Sequence, residues 1–159
     1  MKRIYVDSNV LIALFSTDLH ESANRKLAEN AVDAFAQVRN AQLWTSMWAI
    51  TEMVNILVSA KKVDPGYVAE LENRLISEKR LRRVKLHLAD VSPDEEYDFP
   101  EFFYHVRQGI LEYHSGVGDV IHSVIMKNNG ITDILTFDEK SDFKQIPGLT
   151  VMHPRAIKI

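Results

Sequence analysis

The sequence predicts an α/β fold with a central, mostly parallel five-stranded sheet between two helical layers, and three observations carry that prediction. Short β-branched and aromatic runs alternate with longer helix-compatible segments, the pattern of parallel strands joined by crossover helices. Capping residues mark the helix starts at Asp7-Ser8-Asn9, Asp18, Ser46, Asp64 and Ser92. The 159 residues are 46% hydrophobic and 26% charged, enough to bury one sizeable core. That length gives a single domain over 1–159 on the usual ~100–200 residues per domain.

The elements follow in order. Ile4-Tyr5-Val6 is a short buried strand, and Asp7-Ser8-Asn9 caps a short helix over Val10–Phe15. Asp18 with Glu21 is a capping-box pattern for a helix over about Glu21–Arg39. Leu43-Trp44-Thr45 is a second strand, and Ser46 starts a helix running through Ala60. Asp64-Pro65 starts another, to about Lys79, with Pro in the first turn. Val84–Leu88 is the third strand. Ser92-Pro93-Asp94-Glu95 opens a helical element that Pro100 breaks or kinks before it resumes to about His114. Ser115–Gly118 turns into a helix over Asp119–Asn129, closed by Gly130. Ile131–Phe137 holds the fourth strand and Thr150–Met152 the fifth.

Composition excludes several chemistries. With no cysteine there is no disulfide, thiolate zinc site, iron–sulfur cluster or cysteine nucleophile. A balance of 19 basic against 22 acidic residues gives −3, so a general basic coat for nucleic acid is excluded. Met1-Lys2-Arg3 precedes an apolar run of only six residues, Val10–Phe15. A secretory segment needs ~7–15 and a membrane span ~20, so the expectation is a cytoplasmic protein without a membrane partner.

Three long stretches each hold one acid. Asp7 is the only charge between Ile4 and Thr17, Glu52 between Leu43 and Ala60, and Asp119 between Tyr113 and Met126. A carboxylate in an apolar stretch is costly to bury unless paired, hydrogen-bonded or metal-bound. Glu52 has Trp48 at i−4 and Ile56 at i+4, so those helical neighbours supply no opposite charge. Topology brings the acids together. Asp7 follows the first strand, at the carboxyl edge where open α/β sheets bind ligands. Crossover helices begin at that edge, which places Glu52 and Asp119 there in their first two turns. From Asp119 the helix travels ~16 Å away at ~1.5 Å per residue, and the next strand returns a similar distance, delivering Asp138. Four clustered acids repel each other, and a hard divalent cation, Mg2+ or Mn2+, relieves that repulsion. Such a site suits in-line phosphodiester hydrolysis by activated water.

These residues resemble the PIN-domain family. Val6-Asp7-Ser8-Asn9-Val10-Leu11-Ile12 resembles its opening motif, with Ser8 where Thr is usual. Ser46–Leu57 resembles its Glu-bearing helix, Gly118-Asp119-Val120-Ile121-His122 its third-acid motif, and Ile134–Asp138 through Asp142-Phe143 and Ile146–Leu149 its closing signature. The resemblance implies a PIN-like three-layer fold and a metal-dependent ribonuclease. The chain's size is similar to free-standing VapC-type toxins, which implies an RNA substrate and a cognate antitoxin, and allows a homodimer. The implied catalytic and metal residues are Asp7, Glu52, Asp119 and Asp138. Three residues separate Asp138 from Asp142, so either can be the fourth acid; Asp138 is preferred because it directly follows the strand, and Asp142 can instead cap a terminal turn.

Other residues divide between roles. Ser8 either caps a helix or orients Asp7. His122 shares a helix face with Asp119, and without a second His at helical spacing the balance favours packing over metal ligation. Arg80, Arg82 and Arg83, flanked by Lys79 and Lys85, read either as a solvated helix end or as phosphate contacts. Two alternatives stand beside the nuclease: a catalytically silent PIN-like interaction module, and a receiver-like phosphoryl-signalling domain. A receiver needs paired acids after its first strand, and Asp7 is single.

Overall fold

The computed structural model describes residues 1–91, 99–138 and 142–157. Six strands form one sheet in the order β3-β4-β2-β1-β5-β6. They are β1 (Lys2–Val6), β2 (Ala41–Ser46), β3 (Arg80–Leu81), β4 (Val84–Ala89), β5 (Asp133–Leu135) and β6 (Thr150–Met152). All pairings are parallel except β3 with β4, a tight antiparallel hairpin. The expected five strands are present, and that hairpin adds the sixth. It arises because the helix before it ends early, so the basic run is strand and turn, not helix end.

The helices are α1 (Ser8–Phe15), α2 (Ser22–Gln37), α3 (Met47–Asn55), α4 (Pro65–Ile76), α5 (Phe99–Tyr113) and α6 (Val117–Asn128). Ser46 caps α3 by accepting from the Ala49 amide at 3.2 Å, and Asp64 caps α4 by accepting from the Tyr67 amide at 3.0 Å. α3 passes into a π-helical turn at Ile56–Ala60. Asp18 caps a 3-10 turn at Leu19–Glu21, so α2 starts one residue later than the capping-box pattern suggested. α5 contains Pro100 and runs to Tyr113, close to the expected end of that helix. The expected start at Ser92–Glu95 lies outside the described residues.

The core sits on both sides of β1, whose Ile4, Tyr5 and Val6 are fully buried. Tyr5 reaches α6, so Ile4 and Val6 point to the opposite face. α1 packs on α2 and α3, and α5 packs on α6. The α5–α6 approach requires a glycine: a Cβ on Gly109 would lie 2.6 Å from Val120 Cγ1. Among the described residues, no helix is long and apolar enough to cross a membrane.

From β1 the chain builds the sheet outward through β2 to β4, then returns to the other side of β1 with β5 and β6. The carboxyl end of β1, between β2 and β5, is therefore the topological switch point. A crevice opens at that position in α/β sheets.

Candidate metal centre

Asp7 occupies that switch point. Its amide continues the sheet by donating to the Leu135 carbonyl at 3.1 Å, and its side chain is the N-cap of α1. Oδ1 accepts from the Ser8 amide at 2.7 Å, and Oδ2 accepts from the Thr136 hydroxyl at 2.7 Å. The Ser8 hydroxyl stands farther from Oδ1, at 3.4 Å, so Ser8 orients Asp7 mainly through its backbone.

Thr136 is a site residue that sequence reasoning passed over. Its oxygen also accepts from the Asn9 side-chain amide at 2.8 Å and the Asp138 amide at 3.1 Å, so its one proton is left for Asp7. Asn9 closes the link by accepting from the Phe137 amide at 3.0 Å. One hydroxyl thus ties the start of α1, the end of β5 and the turn bearing Asp138 to the same carboxylate.

Glu52 comes from the second turn of α3 and is half-buried. Its partner arrives from a distant helix. His122 of α6 is 2% exposed, and its Nε2 lies 2.7 Å from Glu52 Oε2 and 3.6 Å from Asp7 Oδ1. Among the described residues, Asp7, Glu52 and His122 offer ligand atoms all within 4.8 Å of one another. The other ring nitrogen, Nδ1, lies 2.8 Å from the Tyr5 hydroxyl, which lies 2.5 Å from Ser46 Oγ. Gly118 packs against the same carboxylate: a Cβ there would lie 3.3 Å from Glu52 Oε1, a tight contact that would press on it.

The His122 network accommodates either protonation state. As imidazolium, the ring donates to Glu52 and to Tyr5, which donates to Ser46. As neutral imidazole it still donates to Glu52, while Tyr5 turns its proton to Nδ1 and Ser46 donates to Tyr5. Glu52 is held in both. Burial alone would drive His122 toward neutrality, but Glu52, Asp7 and Asp119 outweigh it and raise its pKa. Burial raises Tyr5, which stays a phenol.

Asp119 lies in the first turn of α6, half-buried. Desolvation first, then the charge of Asp7, push its pKa up to about 6, with Asp142 and Asp138 adding to the push and His122 opposing it. All four of these groups therefore act on one carboxyl. Asp138 is exposed just beyond β5, and Asp142 accepts from the Gly116 amide at 3.0 Å, tying the 3-10 turn Asp142–Gln145 to the start of α6. The structure thus brings Asp7 and Glu52 into one tight group with His122, leaves Asp119 outside that group but within electrostatic reach of Asp7, Asp142 and Asp138, and gives Asp142 a structural partner. The basic run lies elsewhere, at the amino edge of the sheet, and Arg82 is engaged there with Asp33 and Glu29 of α2.

The donor set fits a hard divalent cation. Asp7 is almost fully buried, yet each of its oxygens keeps a lone pair beyond the bonds above. Glu52 Oε1 has no hydrogen bond among the described residues, where Oε2 has one. His122 is committed through both nitrogens to Glu52 and Tyr5, leaving carboxylate oxygens as the available ligands. His122 is better described as the group that orients Glu52 and balances charge.

This electrostatic arrangement sets a pH dependence. Desolvation raises Asp7, and Asp119 and His122 are raised as described. A raised carboxyl keeps its proton longer in the folded chain, so its contribution to stability is complete below 3.8 and lost as pH climbs through the folded value, about 6 for Asp119. The contribution of His122 is complete below 6.5 and lost as pH rises through its higher folded value. Asp18 and Glu21 are lowered, so their contributions are constant above 4.5. The chelated protein is therefore expected to lose several degrees of Tm between pH 5 and pH 8. Mn2+ should remove that loss by competing with the retained protons. Thermal melts across this range, with chelator and with Mn2+, check the sign; a chelated Tm that rises toward pH 8 would contradict it.

Residues 4–149 match the family model described as PIN domain. No curated protein matches by sequence. Several solved structures share the fold. VapBC2 of Rickettsia felis, bound to a promoter DNA fragment, aligns with TM-score 0.61 at 17% identity, covering 95% of this chain and 98% of that one. A toxin–antitoxin complex from Klebsiella pneumoniae aligns with TM-score 0.57 at 23% identity, covering 95% and 97%. VapBC-1 of nontypeable Haemophilus influenzae aligns with TM-score 0.61 at 14% identity, covering 96% and 98%.

Proposed function

Because this chain belongs to the PIN-domain family, we propose that it is a Mg2+- or Mn2+-dependent endoribonuclease acting as the toxin of a toxin–antitoxin pair. PIN domains are nucleases, and they use divalent metal. The observation that carries the reading is a buried Asp7 at the switch point, with Glu52 held toward it by His122 and Asp119 forced up in pKa nearby. The toxin assignment is supported by three structural neighbours that are toxin–antitoxin or VapBC assemblies, each matched over nearly its full length. A receiver-like signalling domain is set aside by the family match.

Asp7, Glu52 and Asp119, with Asp138, would hold a divalent cation, which would supply activation of water and neutralisation of charge on phosphate. The chain's own residues do the rest. Ser8 and Thr136 fix the Asp7 carboxylate, and His122 fixes Glu52 with Tyr5 behind it. Asp119, which keeps its proton up to about pH 6 in the metal-free protein, would release it as the cation binds. Asp142 holds the start of α6 and so the position of Asp119. No protein nucleophile is required: there is no cysteine, and Ser8 has a carboxylate rather than a histidine beside it.

Incubation with structured RNAs in Mn2+, Mg2+ or chelator tests the reading. Sequence-selective recognition favours unpaired segments, so cuts are expected in loops. Attack by water leaves a 5′-phosphate and a 3′-hydroxyl. Cleavage that survives chelation and leaves a 2′,3′-cyclic phosphate would overturn the mechanism. The toxin assignment also predicts a small antitoxin reading frame adjoining the gene.

A further inference from the structure

We propose that the amino edge of the sheet is a second RNA-binding surface, which grips the phosphate backbone away from the acidic centre. Two hollows meet there. Lys79, Arg80, Arg83 and Lys85 line one, with Glu78 its only acid; Arg39, Arg83, Lys85 and His87 supply the basic lining of the other. Because Arg83 and Lys85 line both, the surface is continuous.

What distinguishes these cations is their lack of partners. Arg39, Lys79, Arg80, Arg83 and Lys85 are all exposed, and among the described residues none has a salt bridge or side-chain hydrogen bond. Arg82, in the same hairpin, points away and spends its guanidinium on Asp33 and Glu29. Of the three arginines singled out in the sequence, Arg80 and Arg83 thus remain available while Arg82 does not. Five uncompensated cations on one edge of a chain with net charge −3 require acids concentrated elsewhere, and the carboxyl edge carries several. The field is felt locally: His87, lowered first by burial, is lowered further by Lys85, Lys79 and Arg3.

RNA fits this surface better than a small anion does. The cations are spread along a hairpin and a helix end, matching a repeating charge. The six residues of β4 separate the two edges by roughly 20 Å at ~3.3 Å each. An RNA strand passing over the surface must therefore exceed about six nucleotides at ~3.4 Å each to touch both edges. Backbone contacts here would position a long substrate and add affinity without reading sequence.

The choice of RNA rests on the ribonuclease reading, so the test separates the two. The probe is a labelled 30-nucleotide stem–loop, titrated by fluorescence anisotropy in chelator at several salt concentrations. R80S/R83S/K85S is expected to weaken binding at least about 10-fold and reduce the log–log salt slope by about 2, at ~0.7–0.9 per lost phosphate contact. The single substitution Arg83→Ser, at an exposed position, should reduce the slope by about one contact even if the triple variant folds poorly. With Mn2+, the triple variant should lose kcat/KM on the stem–loop by a similar factor while cutting a tetranucleotide at the wild-type rate. Wild-type affinity and slope in both variants would overturn the proposal. So would polyglutamate binding as tightly as the RNA, which would assign the surface to an acidic protein. If wild type cuts no RNA yet the variants still lose affinity, the ribonuclease reading fails and the surface stands.

Discussion

Replacing Asp119 by asparagine is expected to lower RNA cleavage by at least about 10²- to 10³-fold, the scale of removing one preorganised electrostatic group from a reacting centre. The same change should leave the chelated protein at least as stable as wild type at pH 8. Both follow from one arrangement. Asp119 is partly desolvated and faces Asp7, Asp138 and Asp142, so its charge is unfavourable until a cation shares it. Asparagine removes the repulsion together with the charge that would hold the cation, the trade expected of a residue placed for function at a cost in stability. Single-turnover cleavage and thermal melts in chelator check the two halves. Retained activity, or a clear loss of chelated stability, would show Asp119 to be structural instead.

The largest effect on stability is expected at His122. His122→Ala would leave Glu52 and Asp7 facing one another without the intervening ring and deprive the buried Tyr5 hydroxyl of one of its two partners. Breaking a fully buried ion pair on one side costs roughly 3–5 kcal/mol, and the partial exposure of Glu52 brings the expected loss to the lower end, about 3 kcal/mol. In chelator that corresponds to a fall in Tm on the order of 10 °C for a chain of this size. Mn2+ should recover part of the loss, since it replaces the missing positive charge. Denaturant titrations with and without Mn2+ measure both quantities. A loss below about 1 kcal/mol in chelator would mean that the buried pair is not a principal support of the site.

Much of this arrangement was legible from local pattern. Asp7, Glu52 and Asp119 stood out because each is the only charge in a long apolar stretch, and the alternation of strands and helices assigned them to one edge. Caps at Ser46 and Asp64 fixed helix starts because their hydrogen bonds are local. What sequence could not supply were partners from afar. Glu52 has no oppositely charged neighbour in α3, yet its bond to His122 spans 70 positions. Thr136 carries no charge and breaks no periodicity, so nothing local marks its bonds to Asp7 and Asn9. The basic run misled for a similar reason: cations near a helix end suit the dipole, but Lys79 and Arg82 adopt left-handed φ of 50° and 55°, and the chain turns into a hairpin.

Calorimetric titration of Mn2+ into the folded protein measures whether Asp7 anchors a divalent-cation site. Wild type is expected to bind with saturable heat, and Asp7→Asn, which keeps the side chain's shape and one of its two accepted hydrogen bonds but removes the charge, is expected to lose most of that affinity. No saturable binding in folded wild type, or equal binding in Asp7→Asn, would contradict the claim.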